Sequence, residues 1–174
     1  RGIAVFSIGA WIWVPTPDGS PEQVIFSKEN VAHASTREWD MFLNTTGTLQ
    51  FFIWDGTAGA YIGRRYNTAL SASTWLHVVG TYSGGTTNGA VKIYLNGAQV
   101  DDTDTGAGVF TTMQDTATIV TLGSSLTGAN KNNFFGKNGG KMAGGPFCPF
   151  FTQVELTAAQ VANLYAFERL GIGV

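Results

Sequence analysis

Thr74 to Tyr82 reads TWLHVVGTY and Ala90 to Val100 reads AVKIYLNGAQV, a β-branched and aromatic run followed at short range by a second one. Inside the second run, Asn96-Gly97 accepts positive φ at both central positions of a type I′ turn, which joins two antiparallel strands in fixed register. A strand followed by such a hairpin commits this part of the chain to antiparallel sheet.

The same period of two recurs elsewhere. Phe6 to Val14 puts Phe6, Ile8, Ala10, Ile12 and Val14 on one face and Trp11 and Trp13 on the other, the pattern of a central strand covered on both sides. Pro15 and Pro17 stop it, Asp18-Gly19 turns the chain, and Gln23 to Ser27 starts a second extended run before a loop through His33 and Ser35. A hairpin is expected where Glu38 to Leu43 and Leu49 to Trp54 flank Asn44 to Gly47, with Leu49, Phe51 and Ile53 on one side and Gln50, Phe52 and Trp54 on the other. Tyr61 to Leu70 is mixed and is expected to supply one short strand. Asp101 to Gly108 reads as a polar loop, and Thr118 to Gly123 as a further strand.

Only the end reads helical. Thr157 and Gln160 have capping-box spacing, Val161, Leu164 and Tyr165 share a stripe, Arg169 suits the negative end and Gly171 suits the stop. With no repeat of 20 to 50 residues and no linker composition, residues 1–174 are expected to form one domain. Many short strands separated by Gly-rich turns give the fold class: all-β, a two-sheet antiparallel jelly-roll sandwich with a short C-terminal helix.

Composition narrows the functional classes. At 174 residues a single core can bury about 70% of the surface that the unfolded chain exposes. The lone cysteine, Cys148, allows no internal disulfide, so burial alone must hold the fold. A formal charge of −2 supplies no cationic footprint for a phosphate backbone, so nucleic acid is not an expected partner. Charged residues at 13% leave Gly, Thr, Ser and Asn to cover a neutral polar surface of the kind common on extracellular and virion-exposed proteins. No apolar stretch approaches the roughly 20 residues of a spanning helix and no leader pattern precedes Phe6, so membrane insertion is not expected. The opening on Arg1 suggests a processed piece.

Taken in order, the opening Ser7-Ile8-x-Ala10-Trp11 strand, Phe26 to Lys28, the Trp75 strand, the Asn96-Gly97 hairpin and the closing Leu156-Thr157 helix start resemble the laminin-G-like members of the concanavalin A-like lectin/glucanase superfamily. The resemblance runs from about Phe6 to Tyr165. It implies a jelly roll and, by analogy, non-catalytic carbohydrate binding. It also implies a structural calcium ion held by acids in a Gly-x-Ile-Asp-Asp strand before the last helix. Gly140 to Gly144 matches that stretch without the acids, and a Gly145 to Phe151 run follows, so the usual calcium ligands are missing and no other cofactor is expected.

Several constellations hold residue types that chemistry could use. β-Glucanases of the superfamily carry Glu-x-Asp-x-x-Glu, but Glu38-Trp39-Asp40 is followed by Phe42 and Leu43, and without a second Glu the acid and nucleophile roles cannot be shared. Both acids are therefore expected to face solvent. His33, His77 and Cys148 lack a nucleophile-elbow context; His77 is expected to be packed and hydrogen-bonded, and Cys148 to be a small buried hydrophobe. Asp101, Asp102 and Asp104 are expected to be a solvated run of like charges rather than a cation site, since Met113 stands where an EF-hand loop from Asp102 needs Glu. Gly84-Gly85 and Gly139-Gly140 lack the following Lys of a phosphate cradle.

Aromatic residues reach 13%, and flat rings beside amide, hydroxyl and guanidinium groups are what sugar recognition uses. Trp54, Asp55, Tyr61, Arg64, Arg65, Tyr66 and Asn67 cluster in sequence and form the candidate ligand-binding patch; Asn130, Asn132, Asn133 and Phe134 are second. The bland alternative is that Trp54 and Tyr61 seal the second face of the sandwich. The expected function is a non-catalytic, lectin-like module of a secreted or surface-displayed protein with a glycan or polysaccharide partner. The alternative is a structural or adhesion module of a phage or virion appendage, assembling as a homo-oligomer or with a virion partner.

Overall fold

The computed structural model describes residues 5–17, 22–30, 34–125, 131–135 and 139–174. The expected turn at Asp18-Gly19 and His33 lie outside them, as does Asn130. Two sheets form a sandwich. The six-stranded sheet runs β12 (Lys141–Met142), β1 (Phe6–Trp13), β6 (Trp75–Tyr82), β7 (Val91–Leu95), β8 (Ala98–Gln99), with β13 (Phe150–Thr152) also pairing β1. The seven-stranded sheet runs β10 (Thr121–Leu122), β2 (Glu22–Lys28), β3 (Trp39–Leu43), β4 (Thr48–Asp55), β5 (Ala60–Ala69), β9 (Thr103–Ala107), with β11 (Lys131–Asn133) also pairing β2. The pairings are antiparallel except β11 with β2.

Alternation places the core as expected. Phe6, Ile8, Ala10, Ile12 and Val14 of one sheet meet Leu49, Phe51 and Ile53 of the other in a shared buried cluster. Burying a side chain of this kind contributes about 1.5–3 kcal/mol. β1 is central, flanked by β6 on one side and by β12 and β13 on the other. Asn96 and Gly97 take φ of 50° and 82°, the left-handed region that the β7–β8 turn requires.

The weaker segments depart from expectation. Tyr61 to Leu70 is no short strand: β5 is 10 residues long and is zipped to β4 from Asp55↔Ala60 to Thr48↔Ala69, with an irregularity between Thr48 and Gln50. The Asp101 to Gly108 segment contains β9, paired with β5 from Tyr61↔Ala107 to Arg65↔Thr103. Conversely, Thr118 to Gly123 yields only the two residues of β10.

Helix α1 (Ala158–Ile172) opens on the expected capping box, with Thr157 Oγ1 accepting from the Gln160 amide. Its stop is Gly173, at φ 82°, and not Gly171. Gly171 is inside the helix, where a Cβ would collide with the Phe147 ring. The helix seats Val161 against Val79 and Tyr94 of the six-stranded sheet. Alongside, the Tyr165 ring stacks on Trp11, with ring centres 5.6 Å apart, and Trp11 Nε1 donates to Glu168 Oε2 at 2.8 Å.

His77 sits under this helix, packed as expected but not hydrogen-bonded. Neither ring nitrogen finds a hydrogen-bond partner among the described residues, and Nε2 is 3.6 Å from Glu168 Oε2. Cys148 is exposed, a correction to the expected buried thiol. Burial pushes the His77 pKa down from 6.5 to about 4. Burial also pushes Glu168 up, against the Trp11 hydrogen bond.

An unfolded chain protonates His77 near pH 6.5, whereas the folded one refuses the proton until about pH 4. The contribution of His77 to stability is therefore full above pH 6.5 and falls as pH drops toward 4, by on the order of 3 kcal/mol in all. Glu168 acts in the opposite sense as it ionises. Urea midpoints measured from pH 4.5 to 7 should rise with pH in the wild type and much less steeply in His77→Leu; an equal slope in both would place the dependence elsewhere.

Candidate functional site

The outer face of the seven-stranded sheet, away from the shared core, carries an aromatic cluster. Register sets Phe42 across from Gln50, Phe52 across from Gly63 and Trp54 across from Tyr61. Rings of Tyr61 and Trp54 have centres 4.6 Å apart, and Tyr61 and Phe52 4.8 Å apart, while Phe42 meets Phe52 edge-on at 5.2 Å. Gly63 permits this, since a Cβ there would strike the Phe52 ring. Val24, Phe42 and Phe52 are buried, whereas Trp54 and Tyr61 are half-buried. The Arg37 guanidinium lies 4.9 Å from the Trp54 ring centre, and Trp54 Nε1 donates to Asp40 Oδ1 at 2.8 Å.

The seven candidate residues do not share one patch. Trp54, Tyr61 and Arg65 stand on the outer face. Tyr66 faces inward and packs on the core between the sheets. Arg64 also faces inward: its Nε donates to Asp101 Oδ2 at 2.8 Å and it pairs with Asp104. Asp101 Oδ1 in turn accepts the Ile93 amide at 2.9 Å, so this pair ties one sheet to the other. Asn67 is exposed, and its backbone N–H donates to Asp102.

Asp55 is 4% exposed and closes the loop at the end of β4. It accepts from the Ala58 amide at 3.1 Å, the Thr111 amide at 3.3 Å and Gln114 Nε2 at 2.9 Å. Burial raises its pKa, but these bonds and one from Thr112 outweigh it and hold the carboxyl below the usual carboxylate value.

Other acids are likewise structural. Glu38 and Asp40 do not face solvent, at 2% and 0% exposure. Lys28 Nζ reaches both Glu38 oxygens at 2.6 and 2.7 Å, and the Thr116 amide and hydroxyl donate to Oε1 at 2.8 and 2.7 Å. Asp101 to Asp104 is no solvated run of like charges either, because Arg64 takes two of the three carboxylates. Of the second patch, Phe134 is buried in the core and Asn132 and Asn133 lie in β11.

Two features escaped the sequence reading. Thr103 and Thr105 of β9 stand across from Arg65 and Gly63, on the outer face, and Arg37 covers Trp54. Beside them Tyr61 also lines a groove of about 580 Å³ with Thr86, Thr87, Asn88, Asp104 and Thr105. Hydroxyl, amide and ring surface converge there.

The chain matches the Laminin_G_3 family model, described as concanavalin A-like lectin/glucanases superfamily, over residues 3–137. It belongs to this superfamily. No curated protein sequence matches this concanavalin A-like chain closely enough to count as a relative. Among solved structures, the botulinum neurotoxin serotype D binding domain is 14% identical with a TM-score of 0.63, covering 98% of this chain and 39% of that one. Domain 4 of a GH43 extracellular arabinanase from Geobacillus stearothermophilus, in complex with arabinotriose, is 15% identical at TM-score 0.56, covering 93% of this chain and 66% of that one. A heptameric SAP-like pentraxin from Limulus polyphemus is 15% identical at TM-score 0.52, covering 93% and 70%. The chain thus spans about two-fifths of the toxin domain's length.

Asp55→Ala strands several donors at once. It should lower unfolding stability by about 2 kcal/mol, read as a shift in urea midpoint, because buried donors lose their acceptor. An unchanged midpoint would show that Asp55 is not the clasp of this loop.

Proposed function

We propose that the concanavalin A-like chain is a non-catalytic, carbohydrate-binding module of a secreted or surface-displayed protein. The observation that carries this reading is the half-buried Trp54–Tyr61 pair on the outer sheet face, next to a groove lined by Thr86, Thr87, Asn88 and Thr105. Ring faces pack on the apolar C–H faces of sugars while amide and hydroxyl groups bond their hydroxyls. Catalysis finds no support in the two acids on β3 and just before it, since Glu38 is neutralised by Lys28 and Asp40 accepts from Trp54. The arabinanase domain in complex with arabinotriose is a relative in fold, and this reading brings saccharide binding to the present chain by analogy. A glycan or polysaccharide is the partner, and the location is extracellular or at a cell or virion surface.

One observation favours a second reading, assembly with copies of itself or with a virion partner. Helix α1 leaves Phe167 and Leu170 at 77% and 75% exposure, one turn apart on one stripe. Light scattering across a concentration series decides it, and a strictly monomeric protein removes self-assembly.

For the first reading, a glycan array followed by titration calorimetry is the test. Tyr61→Ala should weaken binding by about ten-fold through loss of a stacking ring, and Trp54→Ala should do at least as much. Binding to no glycan, or binding untouched by both changes, removes it.

A further inference from the structure

Arg65 differs from the other cations described around the seven-stranded sheet. Arg64 is held by Asp101 and Asp104, Lys28 by Glu38, and Arg37 has Glu29 at 3.9 Å. Arg65 enters no ion pair among the described residues, and its buried Nε has no hydrogen-bond partner there. A charged donor without a partner is costly, by about 1–3 kcal/mol or more; Nε itself is buried while the side chain as a whole is half-exposed, so an acceptor brought from outside would meet the remaining guanidinium nitrogens.

Its place in the sheet says what that acceptor is attached to. Arg65 lies on the same strand face as Tyr61, four residues along β5 and therefore about 13 Å away, with Gly63 between them. Thr103 stands across from Arg65 on β9 and Thr105 across from Gly63, while Gln50 flanks Arg65 on β4. The strip thus offers a ring at one end, hydroxyls along its side and an unpaired guanidinium at the other. The acids on either side of Thr103 are otherwise engaged: Asp104 turns to Arg64, and Asp102 accepts from the Asn67 amide and the Thr103 hydroxyl.

We infer that the Tyr61–Arg65 strip takes an anionic saccharide, with a sugar ring against Tyr61 and a carboxylate or sulfate group on the Arg65 guanidinium. This rests on the carbohydrate reading above and names its substrate class. A guanidinium fork presents two parallel N–H donors to the paired oxygens of such groups, a geometry that Lys cannot reproduce. The formal charge of −2 means that the molecule as a whole does not attract polyanions, so a preference for them must originate locally.

The test is titration calorimetry with polygalacturonate, the neutral galactan made by reducing its carboxyls, and a sulfated galactan. The wild type should bind one of the anionic polymers about ten-fold tighter than the neutral one, and Arg65→Gln should bring the two within about two-fold. Arg65→Lys should recover only part of the preference. Lys141→Gln, which removes a cation seated over Trp13 on the other sheet, should leave it intact. Which anionic polymer wins distinguishes carboxylate from sulfate. Equal affinity for charged and neutral polymers, failure to bind either anionic one, or a preference that survives Arg65→Gln overturns the inference. Binding of the neutral galactan alone, lost in Tyr61→Ala, would overturn it while leaving the carbohydrate reading in place; binding of no glycan at all removes both.

Discussion

Phe6 is where the two sheets are pinned together. Its ring, on β1, lies 5.4 Å from Trp39 and 6.0 Å from Phe51 of the opposite sheet, and 5.8 Å from Tyr82 of its own. The layers can come this close partly because Gly80 has no side chain: a Cβ there would sit 2.7 Å from Phe51 Cδ1 and 2.5 Å from Met41 Cε. Once these rings interlock, a strand cannot slip by one residue without turning its whole buried face outward. The core contact therefore decides which side chains the sheets present to the outside as well as those they hide.

The two outward faces are finished differently. On the six-stranded sheet, α1 lies over Val79, Tyr94, Trp11 and His77, so that sheet is covered by the chain's own helix. The other sheet keeps its outer aromatics in a separate cluster, and two of them, Trp54 and Tyr61, remain half in solvent. Half-burial has two consequences: neighbours hold the ring orientations, and part of each ring stays in contact with solvent. Asp40 and Arg37 add to this, one anchoring the indole N–H and the other lying against the ring.

The sequence made the hairpins and the central strand legible because their signal is local, a period of two closed by Asn44 to Gly47 or by Asn96-Gly97. The capping box of α1 was legible for the same reason. β5 was legible only as a short strand and β9 not at all, since Arg64, Arg65, Asn67 and the Asp101 to Asp104 run are polar and half exposed or exposed, and what extends them as strands is pairing with one another across some forty residues. The acids were misread for a related reason. Glu38 and Asp40 alternate like surface residues, and only the fold brings Lys28, Thr116 and Trp54 to them. Gly171 and Gly173 both suit a helix stop locally; the contact with Phe147 assigns the first to packing and leaves the second to end the helix.

The limit of sequence reading is sharpest at Arg64 and Arg65. The residues are adjacent and identical in type, and no local pattern separates them. Pleating does, because consecutive side chains leave a strand on opposite faces. Arg64 enters the interior edge, where Asp101 binds it and is itself bound to the Ile93 amide of the opposite sheet. Arg65 emerges beside Thr103, on the strand face that holds Tyr61, and its buried Nε finds no hydrogen-bond partner among the described residues. With Asp101 and Asp104 both taken by Arg64, Arg65 on the opposite face of the strand is left without an ion pair among the described residues.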